Sequence, residues 1–159
     1  MRLSSVFLPA TALLAQAASG FFLSSPQNVV TPGKYASMRF PRIGFYNDSD
    51  PTDLEFEVDV NGKLVGQQEQ ASFVDQGPGF WCFQQGTPEF YQEHEGPPAF
   101  DQPFAIEDGK LLYKGEIDLV WFLCGNSSGV DILLAHPGRE DEGCISDVTI
   151  EAVELEQGV

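Results

Sequence analysis

Residues 113–155 read YKGEIDLVWFLCGNSSGVDILLAHPGREDEGCISDVTIEAVEL, and the fold turns on this stretch. Asp118 to Leu123 is apolar on both faces of a strand, which suits a central strand covered on each side. Val130 to Ala135 repeats that character through Ile132, Leu133 and Leu134. Asp147 to Leu155 alternates Val148, Ile150 and Ala152 with polar residues, then slips phase at Val153 and Leu155, the pattern a β-bulge produces. The stretch therefore predicts two strands, a loop bounded by Cys124 and Cys144, and one closing strand.

Upstream, Leu54 to Val60 places Leu54, Phe56, Val58 and Val60 on one face of a strand and three carboxylates on the other. Asn61-Gly62 follows, a strong hairpin signal because type I′ turns need φ > 0 at both central positions, and Lys63-Leu64-Val65 begins the return strand. Phe104 to Tyr113 repeats the design around Asp108-Gly109, so the two hairpins are either internal repeats of one β architecture or convergent uses of a common hairpin pattern. Ile43 to Tyr46 is a further short strand, and Asn47 to Thr52 has the chemistry of a turn. From about Gln84 to Gln102 neither a period of 2 nor one of 3.6 appears, which predicts a long loop, either functional or mobile. No stretch after residue 20 makes an amphipathic helix. Short strands at regular spacing predict an all-β chain: a single antiparallel β-sandwich or small barrel, trefoil-like among the options, with one disulfide.

At the N-terminus, Arg2 precedes an apolar run from Val6 to Ala15 and an Ala15-Gln16-Ala17 or Ala17-Ala18-Ser19 ending. These are the parts of a secretory signal peptide, so residues 1–19 are read as a leader and 20–159 as one secreted domain. The run is too short to span a membrane, and residues 151–159 show neither a lipid-anchor tail nor a retrieval signal. The expected address is extracellular. Removing Arg2 leaves seven basic against 24 acidic residues, a formal charge of −17. That field repels phosphate backbones and anionic lipid heads, so nucleic acid and membrane are not expected partners. It is also what keeps many secreted proteins in solution.

Three cysteines, Cys82, Cys124 and Cys144, leave one thiol over if a single bridge forms. Cys82, inside Gly79-Phe80-Trp81-Cys82-Phe83, is read as a buried apolar thiol, since no activating base stands out nearby. Asn47-Asp48-Ser49 and Asn126-Ser127-Ser128 are N-glycosylation sequons in turn-like segments. Gly125 to Gly129 formally matches the G-x-S-x-G elbow, but a strand follows where that motif needs a helix. His94 and His136 are read as a solvated and a turn-anchoring histidine, because no zinc-ligand spacing accompanies them. Asp48, Asp50 and Asp53 lack the glycine and terminal glutamate of a calcium loop. Glu55 and Glu57 are read as solvated carboxylates, a glycosidase pair only if a cleft receives them. No catalytic residue, metal site or cofactor is predicted. Trp81, Phe90 and Tyr91 are candidate glycan contacts, since planar rings stack on apolar sugar faces; the competing role for such residues is to fill the core.

The residues from Phe104 to Gly115, then Cys124, Ala135-His136-Pro137-Gly138, Gly143-Cys144 and Val148 to Leu155, resemble the fungal cell-wall protein PhiA-like family. A fainter similarity runs to the C-terminal domain of PIR cell-wall mannoproteins, through the same order of hairpin, cysteine, closing cysteine and terminal strand. The resemblance implies a secreted, allergen-like wall protein linked to phialide and conidium development, with Cys124 and Cys144 bridged. It implies no catalytic residues. A bridge there closes about twenty residues and contributes roughly 3 kcal/mol by the chain-entropy estimate. The chain departs from the family at Arg139–Glu142, which lengthens the segment between Gly138 and Gly143, and at Cys82, which has no family partner. The expected function is that of a non-enzymatic structural protein of the fungal wall, associating with a polysaccharide such as glucan or chitin. The alternatives are a secreted glycan-active hydrolase and a secreted effector that binds a host protein.

Overall fold

The computed structural model describes residues 18–47 and 52–154. Residues 1–17 of the expected leader, most of the Asn47-Asp48-Ser49 sequon, Asp50 and Leu155 lie outside these residues. Ala18 and Ser19, assigned above to the leader, are described and form the first two positions of a strand.

In chain order the elements are β1 (Ala18–Ser24), β2 (Ser37–Arg39), β3 (Arg42–Tyr46), β4 (Phe56–Val58), β5 (Leu64–Gly66), β6 (Ala71–Gly77) and β7 (Phe80–Gln85). They continue with α1 (Pro88–Glu93), β8 (Ala99–Phe100), β9 (Phe104–Glu107), β10 (Lys110–Tyr113), β11 (Val120–Asn126), β12 (Gly129–Ala135), β13 (Cys144–Val148) and β14 (Glu151–Glu154). Two antiparallel sheets form: six strands in the order β5-β4-β1-β14-β10-β9, and eight in the order β13-β11-β12-β3-β7-β6-β8, with β2 on β3. The sandwich is thus the member of the expected set that is adopted. The smaller sheet curls until Phe104 N donates to Gly62 O (2.7 Å) and Leu64 N to Asp101 O (2.8 Å), two bonds that bring its outer strands together without a closed barrel.

The inner faces meet over an aromatic core. Phe73 stacks on Phe83 at 4.4 Å between ring centroids, with Phe104 at 5.4 Å and Trp121 at 5.6 Å. The indole Nε1 of Trp121 donates to Leu111 O across the sheets (2.8 Å), which satisfies the one polar atom of that ring in the core.

Several expectations are corrected. Leu54, Phe56 and Val58 are buried as predicted, but Val60 is 64% exposed, because the chain leaves the strand at Asp59. The Asp59 carboxylate accepts from Asn61 N and Lys63 N, and Gly62 N donates to Asp59 O with Gly62 at φ +84°. That is a type I turn closed by a left-handed glycine, not type I′. Asp108 and Gly109 are both at positive φ, so the second hairpin has the expected I′ turn. The predicted closing strand is two strands: β13 pairs with β11 in the larger sheet and β14 with β1 and β10 in the smaller. Val148 and Ile150 are both buried at the crossing, and the irregularity falls at Asp147 (φ +55°) instead of at Val153.

The predicted loop from Gln84 to Gln102 contains α1 and β8. Thr87 caps the helix by accepting from Phe90 N (3.0 Å), and Pro88 stands at its first turn. Thr-Pro-Glu is a helix-start signal that periodicity alone misses in six residues.

Candidate functional site

The larger sheet forks. The first half of β12 pairs with β3 (Asp131 opposite Gly44), the second half with β7 (Leu133 opposite Cys82), and β3 and β7 then leave together with Arg42 opposite Gln84. Close approach at the fork requires Gly44, where an added Cβ would stand 2.1 Å from Val130 O. On the outer face, polar side chains pin the junction. Asp131 accepts from Tyr46 Oη (2.6 Å) and from Arg42 Nη1 (3.0 Å), and Arg42 Nε donates to Gln84 Oε1 (3.1 Å). Burial pushes the Tyr46 phenol far above its ordinary value, and its hydrogen bond to Asp131 adds to the shift.

From the fork the network continues into a surface groove. Gln84 Nε2 donates to Tyr91 Oη (3.2 Å), and Tyr91 Oη donates to Gln85 O. The groove, about 550 Å³, lies between the Phe40-Pro41 turn of the β2–β3 hairpin, the segment Gln68–Gln70, the end of β7, and α1 with Phe90 and Tyr91. Phe40 is 78% exposed and Phe90 48%, so two aromatic residues from separate elements present their rings to solvent beside it. Gly86, at φ +114°, lets the Tyr91 ring pack where a Cβ would meet it at 2.8 Å. Gln85 Nε2 donates to Glu69 Oε1 (2.7 Å), and Glu69 supplies the single carboxylate among the lining residues.

Phe90 and Tyr91, two of the three predicted glycan contacts, meet in this groove. Trp81 does not line it: half-buried on the inner face of β7, it lies edge-on to Phe100 and to His136, each at 6.0 Å. Phe40 is the residue that the sequence reading missed. Its signal is an aromatic residue beside proline in a turn-forming pair, where no core position exists for it. Glu57 lies on β4 of the smaller sheet and Glu55 just before it, both half-buried, and neither lines the groove. His94 is exposed, its Nδ1 2.8 Å from Phe90 O, while His136 is exposed at the turn where its carbonyl accepts from Arg139 N.

Cys124 and Cys144 are bridged between directly opposed positions of β11 and β13. Cys82 is a free thiol, 1% exposed, and burial pushes its pKa up to about 11 despite the nearby Arg42. The thiolate is scarce at neutral pH, which argues against a nucleophilic role. Cys82 packs with Phe122, Leu133 and Ala135 into a second, smaller core on the outer face, against the disulfide. The departing segment Arg139–Glu142 covers part of it: Arg139 lies over the Phe80 ring at 4.3 Å, donates to Pro78 O and pairs with Asp141. Asn47 and Asn126 are both exposed. Gly125 to Gly129 forms the β11–β12 hairpin turn, not a strand-to-helix elbow.

No family model, curated protein or solved structure matches this chain.

Proposed function

We propose that this chain is a non-enzymatic, secreted structural protein of the fungal cell wall, of the kind linked to conidium and phialide development, and that it holds wall polysaccharide in the Phe40–Phe90 groove. The observation that carries the reading is the pairing of two exposed aromatic residues with glutamines along one open groove. Ring faces cover the apolar C–H surface of a pyranose, while amides both donate to and accept from its hydroxyls. The acidic surface favours a neutral polymer such as glucan or chitin over an anionic one. Glycoside hydrolysis ordinarily uses a pair of carboxylates flanking the scissile bond, and Glu69 stands without a second one among the groove's lining residues. That supports binding without cleavage.

The test is to incubate the secreted protein with insoluble glucan and with chitin, then measure both protein depletion and soluble sugar. Depletion without sugar release is expected. Soluble oligosaccharide would establish the hydrolase alternative. Absence of depletion on both polymers would contradict the proposal and favour a protein-binding effector.

A further inference from the structure

The two sequon asparagines and the groove stand at opposite ends of one strand. Phe40-Pro41 forms the turn that leads into β3, and Asn47 follows the last residue of β3. At that second end Asn47 N donates to Ser128 O (2.9 Å), within the other sequon, and Asn126 opens the two-residue turn between β11 and β12. Two acceptor asparagines far apart in sequence thus meet at one rim, one just past the end of β3 and one at the end of β11, with β12 between the two strands. The six-residue path from Pro41 to Asn47 spans up to about 20 Å when extended. The Asn126 side-chain carbonyl accepts from Ser128 N (2.7 Å), an Asx turn that holds the residue at the exposed tip. Asn126 shares the outward phase of Phe122 and Cys124, whereas Asn47 follows the outward-facing Tyr46 and has the opposite phase, so substituents on the two depart from different faces.

We infer that the molecule is two-ended: N-linked glycans on Asn47 and Asn126 cover the hairpin rim, and the groove end stays bare for the wall polymer. The inference rests on the polysaccharide-binding reading of the groove. In each modification the Asn Nδ2 forms a bond to the first sugar's anomeric carbon, the bond from that carbon to a lipid-linked diphosphate donor breaks, and the amide proton leaves with the diphosphate. A bulky, hydrated oligosaccharide at the rim then disfavours docking by that end and leaves one productive orientation.

The experiment uses the full chain secreted from a eukaryotic host, with site occupancy read by mass before and after enzymatic deglycosylation. Both asparagines are expected to be occupied, and removing their glycans to change retention on insoluble glucan or chitin by less than twofold. Gln70→Asn completes an Asn-Ala71-Ser72 sequon at the groove, and Gln85→Asn completes an Asn-Gly86-Thr87 sequon beside it as a second variant. A glycan at either is expected to cut retention at least tenfold, with recovery after its removal. Empty Asn47 and Asn126 in a protein that still binds would overturn the two-ended arrangement alone. So would a large gain on stripping the natural glycans, or a groove glycan without effect. A wild-type chain that binds neither polymer would overturn the groove reading and this inference together.

Discussion

On its inner face the eight-stranded sheet carries Ile43, Phe45, Phe73, Phe83, Trp121, Leu123, Ile132 and Leu134, all within the main core. On its outer face the same strands carry Arg42, Tyr46, Cys82, Gln84, Phe122 and Asp131, an alternation of apolar and polar groups over a much smaller cluster. The inner face gains by burying area, so its energy is spread over many rings and is indifferent to direction. The outer face gains by hydrogen bonds that fix angles, so it determines where β3, β7 and therefore Phe40 and Tyr91 point. Stability is concentrated on one side and positioning on the other.

The largest effect expected from breaking that contrast lies in the inner core. Phe73→Ala removes a ring in contact with Phe83, Phe100, Phe104 and Trp121 and should cost about 3–5 kcal/mol, measured by denaturant unfolding. A loss under about 1 kcal/mol would mean that the inner face does not dominate. Next comes the covalent tie on the outer face: with a sequence separation of 20 between its cysteines, Cys144→Ser should cost about 3 kcal/mol. Cys82→Ser should cost about 1 kcal/mol at neutral pH, since it buries a hydroxyl in place of a thiol. Equal effects of the two would contradict the pairing.

A finer test of the outer face uses alkali. The folded Cys82 thiol titrates near 11 against an ordinary 9.0, so between those values the folded state holds the proton that the unfolded chain has released. Stability therefore falls as pH rises through this window, by about 2–3 kcal/mol at its upper end. Cys82→Ala should flatten the wild-type decline between pH 9 and 11 by that amount. An unchanged slope would place the thiol in contact with solvent.

Much of the sandwich was legible because its signals are local. Phe104 to Tyr113 alternates around Asp108-Gly109 and folds as read, and the apolar runs before Cys124 and after Gly129 become the paired β11 and β12. Crossings between sheets were not legible. Val148 and Ile150 keep one phase while the chain passes from β13 to β14, so two strands look like one. The fork escaped the sequence for a related reason: β12 changes partner midway, and nothing in Gly129 to Ala135 marks the change. The groove was half legible. Phe90 and Tyr91 stood out as aromatics in an aperiodic stretch, but their companion Phe40 is fifty residues away from Phe90 and meets them only because β3 and β7 run on together past β12.

The most direct test compares retention of the wild type and of a Phe40→Ala/Phe90→Ala double variant on insoluble glucan and chitin, with thermal unfolding as a control. Both rings are substantially exposed, so stability should change by less than about 1 kcal/mol. Loss of two stacking contacts of about 1 kcal/mol each should weaken binding by tenfold or more. Wild-type retention that drops in the double variant at an unchanged unfolding midpoint is the predicted result; equal retention of the two proteins, or none of either, would contradict the account.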